Sequence, residues 1–382
     1  MTATTTPKIN NEERARRLDA LRERMAKQAV DAVVLTPGTN LRYISGLAWG
    51  ASERLVCAII RHDRLLFVAP RFEASSLNAS VPMPFDDAVY WDEHEDPHGL
   101  VARLLTDLGV TSCGLDPNCA YGHADALFAA ANGVAWSSAY PQIAPLRACK
   151  SAAELALMRA AKQLTLEVHR TIFEQLAPGA RPSEVRAEID RLHRAGGADS
   201  GSSFCAVQFG AATSHPHGIP GDPPLQPGEL VLIDTGCTLD GYNSDITRTY
   251  ALDKVDERIE RVWDLEKKAQ AAAFATAGPG VPCETLDAVA RNVLTEHGLG
   301  PDYTLPGLPH RLGHGIGLDV HEGPYLVRGD RTPLAPGMCF SNEPMIVFPD
   351  AFGVRLEDHF YITDTGAAWF TEPQHSLYQP FP

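Results

Sequence analysis

Two stretches of this chain run an apolar strand into an acidic residue, turn, and come back carrying another acid, and this repeated pattern narrows the possible folds more than any other feature. In the first, Leu230-Val231-Leu232-Ile233-Asp234 leads to an Asp240-Gly241 turn with Asn243 beyond it, and Asp245-Ile246-Thr247-Arg248-Thr249-Tyr250 returns. In the second, Phe340-Ser341-Asn342-Glu343 precedes a turn at Pro349-Asp350-Ala351-Phe352-Gly353, and Val354-Arg355-Leu356-Glu357 returns. The first hairpin pairs Asp234 with Asp245 and the second offers Glu343 and Glu357. Acids at strand ends in apolar surroundings are costly unless something neutralises them, and divalent cations are the usual answer. Any one of them reads equally well as a turn cap or a surface ion-pair partner. All of them together, in one repeated pattern, do not. His314 adds a nitrogen donor, flanked in Gly313-His314-Gly315-Ile316-Gly317 by glycines that allow close backbone approach to whatever it binds. One histidine and these carboxylates predict a dinuclear site.

The rest of the chain organises around these hairpins. Ser151-Ala152-Ala153-Glu154 has the form of a capping box opening a long helix to about Leu176. Ala177-Pro178-Gly179 followed by Glu184 recurs about one hundred residues later as Gly278-Pro279-Gly280 followed by Glu284, each copy ending one helix and beginning another. Residues 149–382 are therefore predicted to form two αα-plus-hairpin halves with the chemistry where they meet. Residues 1–148 read as a smaller mixed α/β domain. A polar tail leads into a helix from Glu12 to Gln28, a strand follows over Asp31–Thr36, and Leu55–Ile60 with Leu65–Pro70 form a hairpin. Helical spacing over Leu100–Leu108, an extended Ser112–Leu115 and a helical Ala124–Ala131 follow, and the prolines of Tyr140-Pro141-Gln142-Ile143-Ala144-Pro145 interrupt the periodicity.

Composition excludes several partner classes. With 33 Lys plus Arg against 48 Asp plus Glu, the formal charge of −15 repels phosphate backbones, so no nucleic-acid partner is expected. Apolar runs such as Ala32-Val33-Val34-Leu35 are far shorter than the roughly 20 residues that span a bilayer, so no membrane partner is expected either. The eight cysteines are scattered singly without a C-x-x-C pair, as in a reduced, cytoplasmic protein.

The chain resembles the pita-bread metallopeptidases, the family of Xaa-Pro dipeptidase (prolidase), aminopeptidase P, methionine aminopeptidase and creatinase. The resemblance rests on Asp234-Thr235-Gly236, Ser244-Asp245-Ile246-Thr247-Arg248-Thr249, His310 through Gly317 with Val320-His321-Glu322, Asn342-Glu343-Pro344, and Gly353-Val354-Arg355-Leu356-Glu357-Asp358. Asn40-Leu41-Arg42-Tyr43-Ile44-Ser45-Gly46 looks like the entry of the N-terminal domain of prolidase, aminopeptidase P and creatinase, a domain that methionine aminopeptidases commonly lack. The implied fold is α+β, a duplicated ααβ pita-bread catalytic domain behind a creatinase-like N-terminal domain.

By this resemblance Asp234 holds one metal ion, His314 and Glu343 hold the other, and Asp245 and Glu357 bridge the pair. An oxygen-rich set favours harder ions, Mn²⁺ first, with Co²⁺ or Zn²⁺ as alternatives. Two ions roughly 3.5 to 4 Å apart share a water and deprotonate it near neutral pH, and the resulting bridging hydroxide attacks the amide carbonyl before proline. Glu343 also shuttles the proton to the departing prolyl nitrogen. His321 and His217 stabilise the tetrahedral oxyanion or grip substrate, and His310 supports the metal site from behind. Arg355 either orients the ligand carboxylates or grips a substrate carboxylate. His215-Pro216-His217 also has the H-x-H form of a zinc couple, but Pro216 and Gly218 speak for a loop.

The expected activity is hydrolysis of Xaa-Pro dipeptides, a small-peptide substrate, with aminopeptidase P as the alternative. Creatinase-like amidinohydrolysis without metal and a non-enzymatic binding module are the readings from other classes, and the intact ligand set argues against both. One departure stands out: the family's Glu-Pro is usually followed by Gly, an aliphatic residue and Tyr, but here Met345, Ile346 and Val347 follow. A homodimer is expected from the family's habit, with Trp49 and Arg54 as candidate contacts.

Overall fold

The computed structural model describes residues 8–381, so most of the expected N-terminal tail lies outside the described residues. The chain divides into two compact units, one formed by Ile9–Arg147 and the other chiefly by the chain from Ala148 onward.

The first unit is built on a six-stranded mixed sheet of β1 (Ala32–Leu35), β2 (Cys57–Arg61), β3 (Leu65–Pro70), β4 (Asp87–Trp91), β5 (Ser112–Leu115) and β6 (Ala135–Ser138), in the order β4-β3-β2-β1-β5-β6. Its helices are α1 (Asn11–Lys27), α2 (Thr39–Ser45), α3 (Ala74–Ser80), α4 (Pro97–Asp107), α5 (Tyr121–Ala130) and α6 (Tyr140–Ala148). The Asn10 side chain caps α1 by accepting from the Glu13 amide, and acids in its first turn with Arg24 and Lys27 in its last suit the helix dipole. The expected β2–β3 hairpin forms, with Ile59 opposite Leu66. The sequence misleads at Tyr140–Pro145, where the structure has a helix. Pro141 sits in its first turn, where no amide is required. Pro145 lacks the amide that would bond the Pro141 carbonyl, and Arg24 Nη2 donates to that carbonyl instead at 2.9 Å.

In the second unit each half contributes a helix pair and a sheet, the duplicated ααβ plan expected. α7 (Ala152–Gln175) and α8 (Pro182–Ala195) precede β7 (Ser202–Phe209), β8 (Leu230–Leu239), β9 (Tyr242–Asn243) and β10 (Ile246–Ala251). α9 (Glu257–Thr276) and α10 (Cys283–Thr295) precede β11 (Gly313–Gly315), β12 (Glu322–Leu326), β13 (Cys339–Asn342), β14 (Met345–Phe348), β15 (Phe352–Arg355), β16 (Asp358–Ile362) and β17 (Ala367–Trp369). The capping box at Ser151 is complete: its hydroxyl accepts from the Glu154 amide at 3.3 Å, and Glu154 Oε2 accepts from the Ser151 amide at 2.9 Å.

Strand β8 explains why its sequence is a continuous apolar run. Val231 and Ile233 pack into the core that holds Val168, Ile172, Val185 and Ile189 of α7 and α8, while Leu230 and Leu232 pack into the core that holds Leu265, Ala269, Leu286 and Ala290 of α9 and α10. Alternation by two thus buries both faces, each full side chain contributing about 1.5–3 kcal/mol, and it carries Asp234 onto the face of Leu232, toward the second half. The turn after β8 has Asp240 at φ +46° and Gly241 at φ +80°, the left-handed pair of a type I′ hairpin. The second sheet runs β12-β11-β13-β16-β17, with β14 and β15 as a separate hairpin, and a bridge between Thr247 and Glu357 joins the two halves. Among the described residues no helix is long and apolar enough to cross a membrane.

Candidate metal centre

The expected carboxylates and His314 arrive from both halves. Asp234 lies on β8, Asp245 between β9 and β10, His314 on β11, Glu343 just after β13, and Glu357 between β15 and β16. His314 holds its Nδ1 3.0 Å from the Gly315 carbonyl, which it donates to, so Nε2 faces the acids, 3.1 Å from Glu343 Oε1 and 3.7 Å from Asp245 Oδ2. Ser341 Oγ accepts from the His314 amide at 2.8 Å and lies 3.1 Å from Glu343 Oε1, to which it donates. Thr247 Oγ1 donates to Glu357 Oε2 at 2.7 Å and accepts from Arg355 Nε at 3.1 Å. Behind Glu357 the neighbouring Asp358 points the other way, bonded to Arg248 Nη2 at 2.7 Å and to Gln270 Nε2 at 3.1 Å. Arg248 and Asp358 have no side-chain exposure at all.

Electrostatics in this cluster are strained by like charge. Burial, then the charges of Glu357, Asp234 and Glu343, push Asp245 far above the ordinary carboxylate range, and Glu357 is driven up by burial, Glu343 and Asp234. Asp234 is raised by burial against the pull of Arg355. Burial also works against ionised Glu343, but its hydrogen bond to His314 and the His314 charge outweigh it and hold the acid low.

Asp234 Oδ1 and Glu357 Oε1 are buried with no hydrogen-bond partner among the described residues. Three groups of donors converge to within 4.8 Å: His314, Glu343 and Glu357; Asp245, His314 and His321; and Asp245, Glu357 and His359. Crowded carboxylates, partnerless oxygens and a correctly turned imidazole together fit divalent cations, which relieve the repulsion and fill the open valences. Asp234 stands outside these groups, with its Oδ2 2.5 Å from Arg355 Nη2.

The remaining expected residues gather round. His321 keeps part of its side chain in solvent and packs its ring 4.1 Å from that of His314, and desolvation of the packed part followed by the His314 charge lowers it. His310 Nδ1 donates to the Arg311 carbonyl, 2.7 Å away, and its buried Nε2 has no partner among the described residues. His217 is exposed on the loop after the short 3₁₀ turn Gly210–Ser214, near enough for its charge to act on both His310 and His321. That segment is a loop, with the Pro216 carbonyl accepting from Arg355 Nη1 at 2.9 Å. Of the two roles expected for Arg355, the geometry supports the orienting one: Asp234, Thr247 and Pro216 engage its guanidinium, and the residue is 3% exposed.

Other features depart from the sequence reading. The glycines beside His314 are required by neighbouring strands rather than by what the histidine binds: a Cβ on Gly313 would lie 2.1 Å from the Ser341 carbonyl oxygen. Val347 belongs to the apolar core of the second half and its backbone pairs with Gly307, so this position packs a hydrocarbon side chain. Thr247, Ser341 and His359 were not singled out. Their signal was present, because Thr247 sits inside the Asp245 motif and Glu357-Asp358-His359 alternates as a strand, placing Glu357 and His359 on one face.

Comparison with known proteins runs along almost the whole chain. Residues 156–364 match the model of metallopeptidase family M24, and residues 17–149 that of the creatinase/prolidase N-terminal domain. A probable dipeptidase PepE of Mycobacterium tuberculosis is 36% identical over 369 residues, covering 95% of this chain and 96% of that protein. A Xaa-Pro dipeptidase of Pyrococcus horikoshii is 30% identical over 355 residues, covering 93% and 96%. The crystal structure of dipeptidase PepE from Mycobacterium ulcerans superposes with a TM-score of 0.88 at 33% identity, covering 97% of this chain and 98% of that one. Matches of this length, over a duplicated fold with that donor cluster at its centre, make this chain a member of metallopeptidase family M24 that carries a creatinase/prolidase-type N-terminal domain.

Proposed function

We propose that this protein is a metal-dependent Xaa-Pro dipeptidase. The observation that carries the reading is the convergence of Asp245, Glu343, Glu357 and His314 in a buried cluster whose acids repel one another and leave oxygens unmatched. Relatives named as Xaa-Pro dipeptidases cover this chain almost end to end, which supports the substrate class. Asp234, Asp245, His314, Glu343 and Glu357 are the residues proposed to hold two divalent ions. The oxygen-rich donor set supports Mn²⁺, with Co²⁺ and Zn²⁺ next. When bound, such a pair supplies a water acidic enough to attack at neutral pH.

The chain's own residues do the rest. Glu343, fixed by His314 and Ser341, takes the proton of the attacking water and returns it to the prolyl nitrogen as the carbon–nitrogen bond breaks. His321, against the His314 ring, and His217, on its exposed loop, hold the carbonyl oxygen as negative charge develops there. Arg355 acts at one remove, tying Asp234 and Thr247 to the Pro216 carbonyl so that the ligand strand and the His217 loop keep a fixed spacing. A cytoplasmic homodimer acting on small peptides is the assembly this reading carries with it.

Hydrolysis of Ala-Pro beside Ala-Pro-Ala, each with Mn²⁺ and again with excess chelator, tests the reading. Metal-dependent cleavage of the dipeptide alone is expected. Cleavage of the tripeptide moves the protein to aminopeptidase P, and cleavage of neither overturns the peptidase reading.

A further inference from the structure

His359 follows Glu357 by two residues on an extended strand, so both side chains leave the same face while Asp358 and Phe360 leave the other. The ring is 1% exposed, and both of its nitrogens are buried without a hydrogen-bond partner among the described residues. A core histidine held for packing meets at least one nitrogen with a protein partner, as His193 does with Thr165 at 3.0 Å and Ser202 at 2.8 Å. The cross-strand neighbour of His359, Ser341, has its hydroxyl engaged with His314 and Glu343 instead.

The carboxylate oxygen beside His359 is Glu357 Oε1, itself partnerless among the described residues, at 3.9 Å from Nε2. That separation is too long for a hydrogen bond. It matches two ligands of one cation, because donors each about 2.0–2.2 Å from an ion stand about 3–4 Å apart. A carboxylate oxygen of Asp245 completes a group within 4.8 Å. We propose that His359 is a direct ligand of one of the two ions, together with Asp245 and Glu357. This rests on the metal-centre reading and adds to it a second imidazole, which makes the centre more accommodating of Co²⁺ and Zn²⁺ relative to Mn²⁺ than carboxylates and one histidine alone.

The test uses the full chain, stripped with chelator and reloaded with Co²⁺, as wild type, His359→Ala and His359→Asn. The asparagine variant keeps a polar side chain of similar size should alanine fail to fold. Calorimetric titration gives stoichiometry and affinity, and proton NMR of the Co²⁺-saturated protein counts the hyperfine-shifted, exchangeable ring N–H resonances of bound histidines. Each folded variant is expected to show one such resonance fewer than wild type. Affinity for one ion is expected to fall by more than the roughly 10–100-fold that loss of an outer partner costs. An unchanged resonance count overturns the proposal whatever the affinity does. Wild type that binds two ions with an unaltered spectrum in the variants defeats the His359 assignment alone, whereas wild type that binds no Co²⁺ defeats the metal centre with it.

Discussion

In the proposed mechanism the chemistry turns on Glu343, which touches His314 and Ser341 and is the acid in the cluster that its hydrogen bond to His314 and surrounding charge hold ionised. Glu343→Gln keeps the shape and removes the proton carrier. Turnover of an Xaa-Pro dipeptide is expected to fall about 10²–10⁴-fold, read as kcat in steady-state assays at saturating metal. Retention of near wild-type kcat would place the proton transfer elsewhere. At this scale the sequence was informative where residues repeat a pattern: Asp245, His314, Glu343 and Glu357 converge, and Asp234 lies near enough for its charge to act on Asp245. For His359 it offers only the two-residue spacing from Glu357 that puts both on one strand face, and the unmatched ring nitrogens that set the residue apart exist only in the structure. For Arg355 the sequence leaves two roles open, and the packing of Asp234, Thr247 and Pro216 around the guanidinium supports the orienting one.

Among the elements, two supports of the ligand strands carry expectations. Strand β11 passes so close to β13 that Gly313 has no room for a methyl group, and Gly313→Ala is expected to cost at least about 1–3 kcal/mol in urea unfolding of the metal-free protein. A full-stability variant would mean that β13 yields without cost. Behind the ligand face, Asp358→Asn leaves the Arg248 guanidinium buried without its counter-charge, an expected loss of about 3–5 kcal/mol read from the denaturant midpoint. A shift under 1 kcal/mol would show the pair to be dispensable. Element existence was legible wherever hydrophobic period and turn chemistry agreed, as in the long capped helix after Ser151 and the Asp240-Gly241 hairpin. It failed at α6, since what rescues a proline-bearing helix is Arg24, more than one hundred residues away in the chain. α3 and β4 carry no clean periodicity, so the sequence does not announce them.

For the molecule as a whole, two buried histidines outside the converging donor groups contribute to acid sensitivity. His169, its Nε2 3.0 Å from the Ile246 carbonyl, is depressed by burial and then by Arg248 to about 3, and His193 is depressed by burial to about 4. Both are neutral in the fold, while the unfolded chain protonates them below about 6.5, so between these values the unfolded state binds more protons. These two histidines therefore remove stability as pH drops from 6.5 toward 4, against the raised Asp245 and Glu357, which act in the opposite sense, and His193→Asn is expected to lower the acid-side loss relative to wild type, in unfolding measured with chelator present for both proteins. An identical slope in the variant would remove His193 from the account. The chain alone determined the two-part α+β plan, the duplication and the carboxylates that gather at its centre, because these are written in local patterns: alternation, turns and repeated motifs. Tertiary structure decided what depends on distant residues meeting. It set which side of β8 faces the second half, that Asp234, Thr247 and the Pro216 carbonyl surround the Arg355 guanidinium, why Gly313 has no room for a side chain, and that His359 lies beside Glu357 with no hydrogen-bond partner among the described residues. Those outcomes are fixed by packing and by unmatched polar atoms, quantities that exist only once the chain has closed on itself.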